Sequence, residues 1–69
     1  MNKEEFENII NEQSNLRNLP NTTLSNFMDL LSQDFELTKD NIINQTIYLD
    51  KLEELYNNIL KIYLERNGE

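Results

Sequence analysis

Apolar residues recur along the chain at intervals of three and four, which is the spacing of one face of an α-helix. Three successive segments have this pattern, and no sustained alternation of apolar and polar residues indicates a strand. The single proline, Pro20, and the single glycine, Gly68, leave few interruptions. The pattern therefore predicts an all-α fold, a small helical bundle of three helices in one domain spanning residues 1–69.

The first predicted helix covers residues 2–18 and has a thin apolar stripe. Asn2 is a plausible N-cap, and the acidic residues that follow it suit the positive end of the helix dipole. The stripe consists of Phe6, Ile9, Ile10 and Leu16. Pro20 disfavours helical geometry at the residue before it, so this helix is expected to end there.

The second predicted helix covers residues 22–36 and is short and strongly amphipathic, with Asn21 or Thr22 able to cap it. The third covers residues 38–67 and is the long C-terminal helix. Thr38 is its predicted N-cap, with Leu37 and Ile42 spaced as a hydrophobic staple.

A single continuous helix from about residue 22 to residue 67 is an alternative. Counting sevens from Leu24 gives an unbroken coiled-coil register that reaches Tyr63. Thr38 would then occupy a core position, at the point where the cap and staple signals occur. These signals favour a break near Leu37, although the sequence leaves both arrangements open.

The third segment has more apolar surface than one core-facing helix uses, which is roughly a 100° arc. Two apolar stripes share Leu52 and Ile59: the first is Tyr48, Leu52, Leu55, Ile59 and Ile62, and the second is Leu49, Leu52, Tyr56, Ile59 and Tyr63. Two short companion helices are expected to cover only part of this surface. We therefore expect self-association about a two-fold axis. The predicted interface residues are Tyr48, Leu52, Leu55, Tyr56, Ile59, Ile62 and Tyr63.

Length and composition point in the same direction. A chain of 69 residues has a marginal core, and such chains use disulfides, a metal or partner subunits to gain stability. Cysteine and histidine are both absent, which removes disulfides, thiolate ligands and the commonest general base. Association with another polypeptide is the remaining source of stability.

Thirteen acidic and six basic residues give a net charge of −7. Phosphate groups are bound by lysine and arginine, so we expect neither nucleic acid nor an anionic membrane as a partner. A basic protein is the charged partner that this balance suits. The acidic start lacks the apolar run of a signal peptide, so a cytoplasmic protein is expected. The abundance of Asn and Ile without Ala or Val suggests a low-GC bacterium or its phage.

The chemical motifs of an enzyme are missing. Ser14, Ser25 and Ser32 have no histidine to activate them. The paired carboxylates are interpreted as solvated helix faces. Residues 34–40 place oxygens at alternate positions like a calcium loop, but they lack its turn glycine and are interpreted as a helix junction. We expect no catalytic residues, cofactor or metal.

Two functions are consistent with these features. The first is a non-enzymatic protein–protein interaction module, such as an accessory, adaptor or assembly subunit, that self-associates through its C-terminal helix. The second is an acidic inhibitor, antitoxin-like or phage-encoded, that binds a basic surface of a host protein.

Overall fold

The computed structural model describes residues 1–39 and 46–67. These residues form helix α1 (Lys3–Glu12), a 3-10 helix (Gln13–Asn18), helix α2 (Asn21–Lys39) and helix α3 (Thr46–Asn67). The part of the chain that is described contains no strand. The prediction of an all-α fold with three helices and a long C-terminal helix is confirmed.

Helix α1 begins with a capping box at Asn2, the predicted N-cap. The side chain of Asn2 accepts a hydrogen bond from the backbone N–H of Glu5 at 2.8 Å, and the Glu5 carboxylate accepts one from the backbone N–H of Asn2 at 3.1 Å. Each group satisfies a donor that the first helical turn leaves unpaired. The N-cap prediction is therefore confirmed.

The end of the first predicted helix is more irregular than the pattern suggests. α-Helical geometry stops at Glu12, and the chain continues as a 3-10 helix to Asn18. Leu19 then adopts an extended backbone (φ −90°, ψ 146°), which is the conformation that a following proline favours. The chain thus turns at Leu19 and Pro20, the position at which the proline predicted an end.

Helix α2 begins one residue earlier than predicted. Asn21 and Thr22, the predicted caps, lie inside the helix, and the carbonyl of Pro20 accepts from the backbone N–H groups of Thr23 and Leu24 at 3.0 and 3.1 Å. The side chain of Asn21 instead accepts a hydrogen bond from Arg66 at 2.9 Å. The side chain of Asn21, which was predicted to cap the helix, therefore makes a tertiary contact with α3 instead.

The first of the two helices that were favoured over a single rod ends later than predicted, because α2 continues through Leu37 and Thr38 to Lys39. Thr38 is consequently not the N-cap of the next helix. An ion pair between Lys39 and Glu36 at 2.7 Å joins residues three apart in the last turn of α2. Asp40, Ile42 and the rest of the predicted junction lie outside the described residues, within which α3 begins at Thr46.

Helices α2 and α3 pack against each other in antiparallel orientation. Asp34 near the end of α2 contacts Tyr48 near the start of α3, while Asn21 at the start of α2 contacts Arg66 near the end of α3. One continuous helix over residues 22–67 is therefore excluded. The heptad positions of α2 and those of α3 face each other across this helix pair, whereas in a single helix they would continue along one line.

The core lies between the α2–α3 pair and the segment that contains α1 and the 3-10 helix. Buried apolar side chains come from all four elements; they are Ile9, Leu16, Leu24, Phe27, Leu31, Leu49, Leu52, Leu55, Ile59 and Ile62. The aromatic ring of Phe6 packs on that of Tyr48 at a centroid distance of 5.4 Å. Among the described residues, no helix combines the length and the apolar character needed to cross a membrane.

Candidate interaction surface

The two apolar stripes of α3 differ in how far the rest of the chain covers them. In the first stripe Leu52, Leu55 and Ile59 are each 1% exposed and Ile62 is 8% exposed, while Tyr48 is half-buried. Leu24, Phe27 and Leu31 of α2 and Leu16 of the 3-10 helix belong to the same buried core as these residues. Four of the seven predicted interface residues belong to the core of a single chain.

The second stripe remains partly open. Leu49, Leu52 and Ile59 are buried, but Tyr56 and Tyr63 keep part of their surface exposed. At about 100° per residue, these two tyrosines lie on one side of the line through Leu52 and Ile59, while Leu55 and Ile62 lie on the other side.

The covered side of α3 is the side that meets α1 and the 3-10 helix. Tyr48 contacts Phe6 of α1, and Arg66 donates a hydrogen bond to the carbonyl of Arg17 at 2.7 Å. The opposite side has half-buried Leu60 and, at its edge, Leu64, which is 57% exposed. We call the side of the α2–α3 pair that includes Tyr56, Leu60, Tyr63 and Leu64 the open face.

A groove in the open face runs between α2 and α3. Its apolar lining comes from Leu31 and Phe35 of α2 and from Leu52 and Tyr56 of α3. Its volume is about 190 Å³, which is below the roughly 300–1,000 Å³ of typical small-molecule sites. The groove therefore fits an inserted apolar side chain better than a cofactor.

Polar residues form the rim of this groove. Ser32 and Glu36 lie on the α2 side and Glu53 lies on the α3 side, and all three are exposed. The Glu36 carboxylate pairs with Lys39, but its side chain remains 63% exposed. The rim is thus acidic above an apolar floor.

A polar cluster lies on the covered side of the helix pair, around the buried carboxylate of Asp34. Asp34 is 9% exposed and accepts hydrogen bonds from the hydroxyl of Tyr48 and, at 3.2 Å, from the amino group of Met1. Burial first, and then the hydrogen bond to Asp34, raise the pKa of Tyr48. Tyr48 therefore keeps its proton as a hydrogen-bond donor, and the cluster connects the chain start with both long helices.

Sequence reasoning missed the role of Asp34. It treated Asp34 as part of a helix junction, whereas residues 34–39 are helical. One signal was available: Asp34 follows Leu31 by three residues and Phe27 by seven, so it falls on the apolar side of α2. A carboxylate in such a position requires partners.

The carboxylates that occur in pairs along the sequence make local structural contacts. Glu5 belongs to the capping box, and Glu54 pairs with Lys51 at 3.2 Å. Within the described ranges, no group of three or more acidic, histidine or cysteine side chains could hold a metal ion.

Comparison with known proteins finds no matching protein family, no matching curated protein and no matching solved structure.

Proposed function

We propose that this chain is a non-enzymatic protein–protein interaction module that contacts another polypeptide through the open face of α2 and α3. The observation that supports the proposal is the partial exposure of the second apolar stripe of α3 after the core has formed. Large amphipathic side chains such as Tyr56 and Tyr63 are common at protein interfaces, since one end of the ring is apolar and the hydroxyl can stay wet.

Self-association through α3 is the simplest form of this function. The surface available for it in the folded chain is the C-terminal part of the open face, Leu60, Tyr63 and Leu64. Leu52, Leu55, Ile59 and Ile62 lie in the core of the single chain and would not touch the second copy. A two-fold arrangement would place the same apolar patch of both copies together.

Sedimentation velocity over a concentration series up to the high micromolar range tests this form. We expect the average mass to rise with concentration for the wild type and to stay at the monomer value for Leu64→Asp. Ile47→Asp is a matched control, because Ile47 is also an exposed apolar residue of α3, at 86% exposure, but lies outside the open face. A wild type that remains monomeric throughout would remove self-association from the proposal.

An acidic inhibitor that binds a basic surface of a host protein is the second candidate. The feature that favours it is the pair of glutamates, Glu36 and Glu53, on the two rims of the groove, together with the net charge of −7. Mixing with basic proteins of the native host, followed by mass measurement of the complexes, tests this candidate. Complexes whose stability is independent of salt would contradict a recognition based on charge.

A further inference from the structure

We infer that the groove between α2 and α3 accepts an amphipathic helical segment of a partner protein, with one apolar side chain inserted and lysine or arginine on both sides of it. This inference rests on the proposed function and specifies the partner. Its basis is the combination of an apolar groove with a glutamate on each rim, Glu36 on α2 and Glu53 on α3.

The residues at the floor of the groove are buried and those at its walls are partly exposed, which suits the insertion of a side chain. Leu31 and Leu52 are each only 1% exposed, so the floor is already well packed, while Phe35 and Tyr56 remain partly exposed as walls. An apolar side chain between the two rings would cover them from water. The ring faces also suit the stems and cationic heads of neighbouring lysine or arginine side chains.

The charges around the groove determine which charge a partner segment must carry to bind there. Lys51 and Lys61 each lie about 140° around α3 from Tyr56, so they point away from the groove. Lys39 pairs with Glu36 on the α2 rim at 2.7 Å. Glu36 and Glu53 stay exposed, and no lysine or arginine lines the groove. A partner segment with basic residues on both sides of its apolar anchor would complement these carboxylates.

A second copy of the chain is a poorer occupant of the groove. It would bring its own net charge of −7 close to Glu36 and Glu53, and like charges at an interface oppose association. The proposed self-association surface around Leu64 lies about 12 Å further along α3 from Tyr56, at a rise of about 1.5 Å per residue. The two surfaces can therefore be tested independently.

The test uses a fluorescently labelled amphipathic peptide with leucine on one face and lysine on the other, and a matched peptide with glutamate in place of lysine. Fluorescence anisotropy should detect binding of the lysine peptide only. The double variant Glu36→Gln/Glu53→Gln should weaken binding by about two- to tenfold, as expected for two exposed charge pairs. Glu4→Gln/Glu7→Gln is the control, since it changes the net charge equally on exposed positions of α1.

NMR chemical shifts locate the bound peptide. The inference predicts shift changes at Ser32, Phe35 and Tyr56, with circular dichroism verifying that each variant is folded. Equal weakening by the two double variants would indicate attraction to net charge alone and would overturn the inference. Shift changes confined to residues outside the groove would overturn it as well.

The remaining outcomes separate this inference from the proposed function. If the lysine peptide does not bind but the chain self-associates through the Leu64 surface, the inference fails and the proposed function stands. If groove residues shift with protein concentration without peptide, a second copy is the occupant and the inference fails. If the chain neither binds the peptide nor self-associates, and no host protein binds it, the proposed function fails too.

Discussion

Asp34 of α2 and Tyr48 of α3 are joined by a hydrogen bond in which the tyrosine hydroxyl is the donor. The other carboxylate oxygen of Asp34 accepts from the amino group of Met1, so both oxygens of this buried side chain have partners. Paired buried carboxylates are tolerated in protein interiors, whereas unpaired ones are costly. The bond therefore fixes the start of α3 against the end of α2.

Tyr48→Phe should destabilise the chain by about 1–3 kcal/mol, because it leaves one oxygen of a buried carboxylate without its donor. The ring contact with Phe6 should persist, so the loss reports on the hydroxyl. Urea unfolding followed by circular dichroism measures the change. Tyr63→Phe, at the other end of α3, is the control, and an equal loss in both variants would contradict the role assigned to the Asp34 bond.

The stability of the chain should fall in alkaline solution through Tyr48. Its pKa in the folded chain is raised by burial and by the hydrogen bond to Asp34, above the value of about 10 for an unfolded tyrosine. The folded state therefore holds its proton more tightly than the unfolded state does. This contribution is complete below about pH 10 and is lost as pH rises from there through the folded pKa.

Urea unfolding at a series of pH values from neutral to above pH 10 measures this effect. The wild type and Tyr63→Phe should lose more stability over the alkaline part of the series than Tyr48→Phe does. Parallel curves for the wild type and Tyr48→Phe would show that Tyr48 ionises with the same pKa in both states, contrary to the prediction.

Much of the fold could be predicted from the sequence, because the ends and the spacing of its helices depend mainly on contacts between neighbouring residues. The cap at Asn2, the turn at Pro20 and the helical spacing of the three segments depend on a few neighbouring residues. The sequence also favours two helices over one continuous helix, but it places the end of α2 too early, because the same local rules were applied inside a helix that packs along its length. α2 continues to Lys39, so the cap signal at Thr38 does not end the helix.

The candidate surface could be predicted from the sequence only in part. The sequence indicates that α3 has two apolar stripes, but both look alike as patterns. The side on which α1 docks decides which stripe is buried, and contacts far apart in sequence, such as Phe6 with Tyr48, determine that side. The groove needs side chains from two helices, so no single segment of the sequence could reveal it.

Ile59 provides a test of the packing within one chain. It is 1% exposed at the middle of the α2–α3 contact, and Ile59→Ala should cost about 2–5 kcal/mol. Since small single-core domains seldom exceed about 3–5 kcal/mol in total stability, Ile59→Asp should unfold the chain. Leu64→Asp is the matched control on the same helix and should keep its helical circular dichroism. A folded Ile59→Asp chain would contradict the core assigned here.

Arg66 ties the end of α3 to the connection between the 3-10 helix and α2. Its guanidinium donates to the carbonyls of Leu19 and Arg17 at 2.6 and 2.7 Å and to the side chain of Asn21 at 2.9 Å. A lysine has a single ammonium group and cannot reproduce this planar arrangement of donors. Arg66→Lys should therefore destabilise the chain by about 1–3 kcal/mol, as measured by urea unfolding.

Arg17→Lys is the comparison for Arg66, since the side chain of Arg17 makes an exposed ion pair with Glu65 at 2.8 Å while its backbone carbonyl remains available to Arg66. Exposed pairs contribute little to stability because water and salt screen them. Arg17→Lys should consequently have much the smaller effect. Hydrogen exchange adds a local measurement. In Arg66→Lys the backbone amides of Thr23 and Leu24 at the start of α2 should exchange faster, because the turn that holds them has lost the hydrogen bonds from Arg66. Unchanged exchange there, together with equal stability losses in the two variants, would mean that packing alone holds the end of α3 in place.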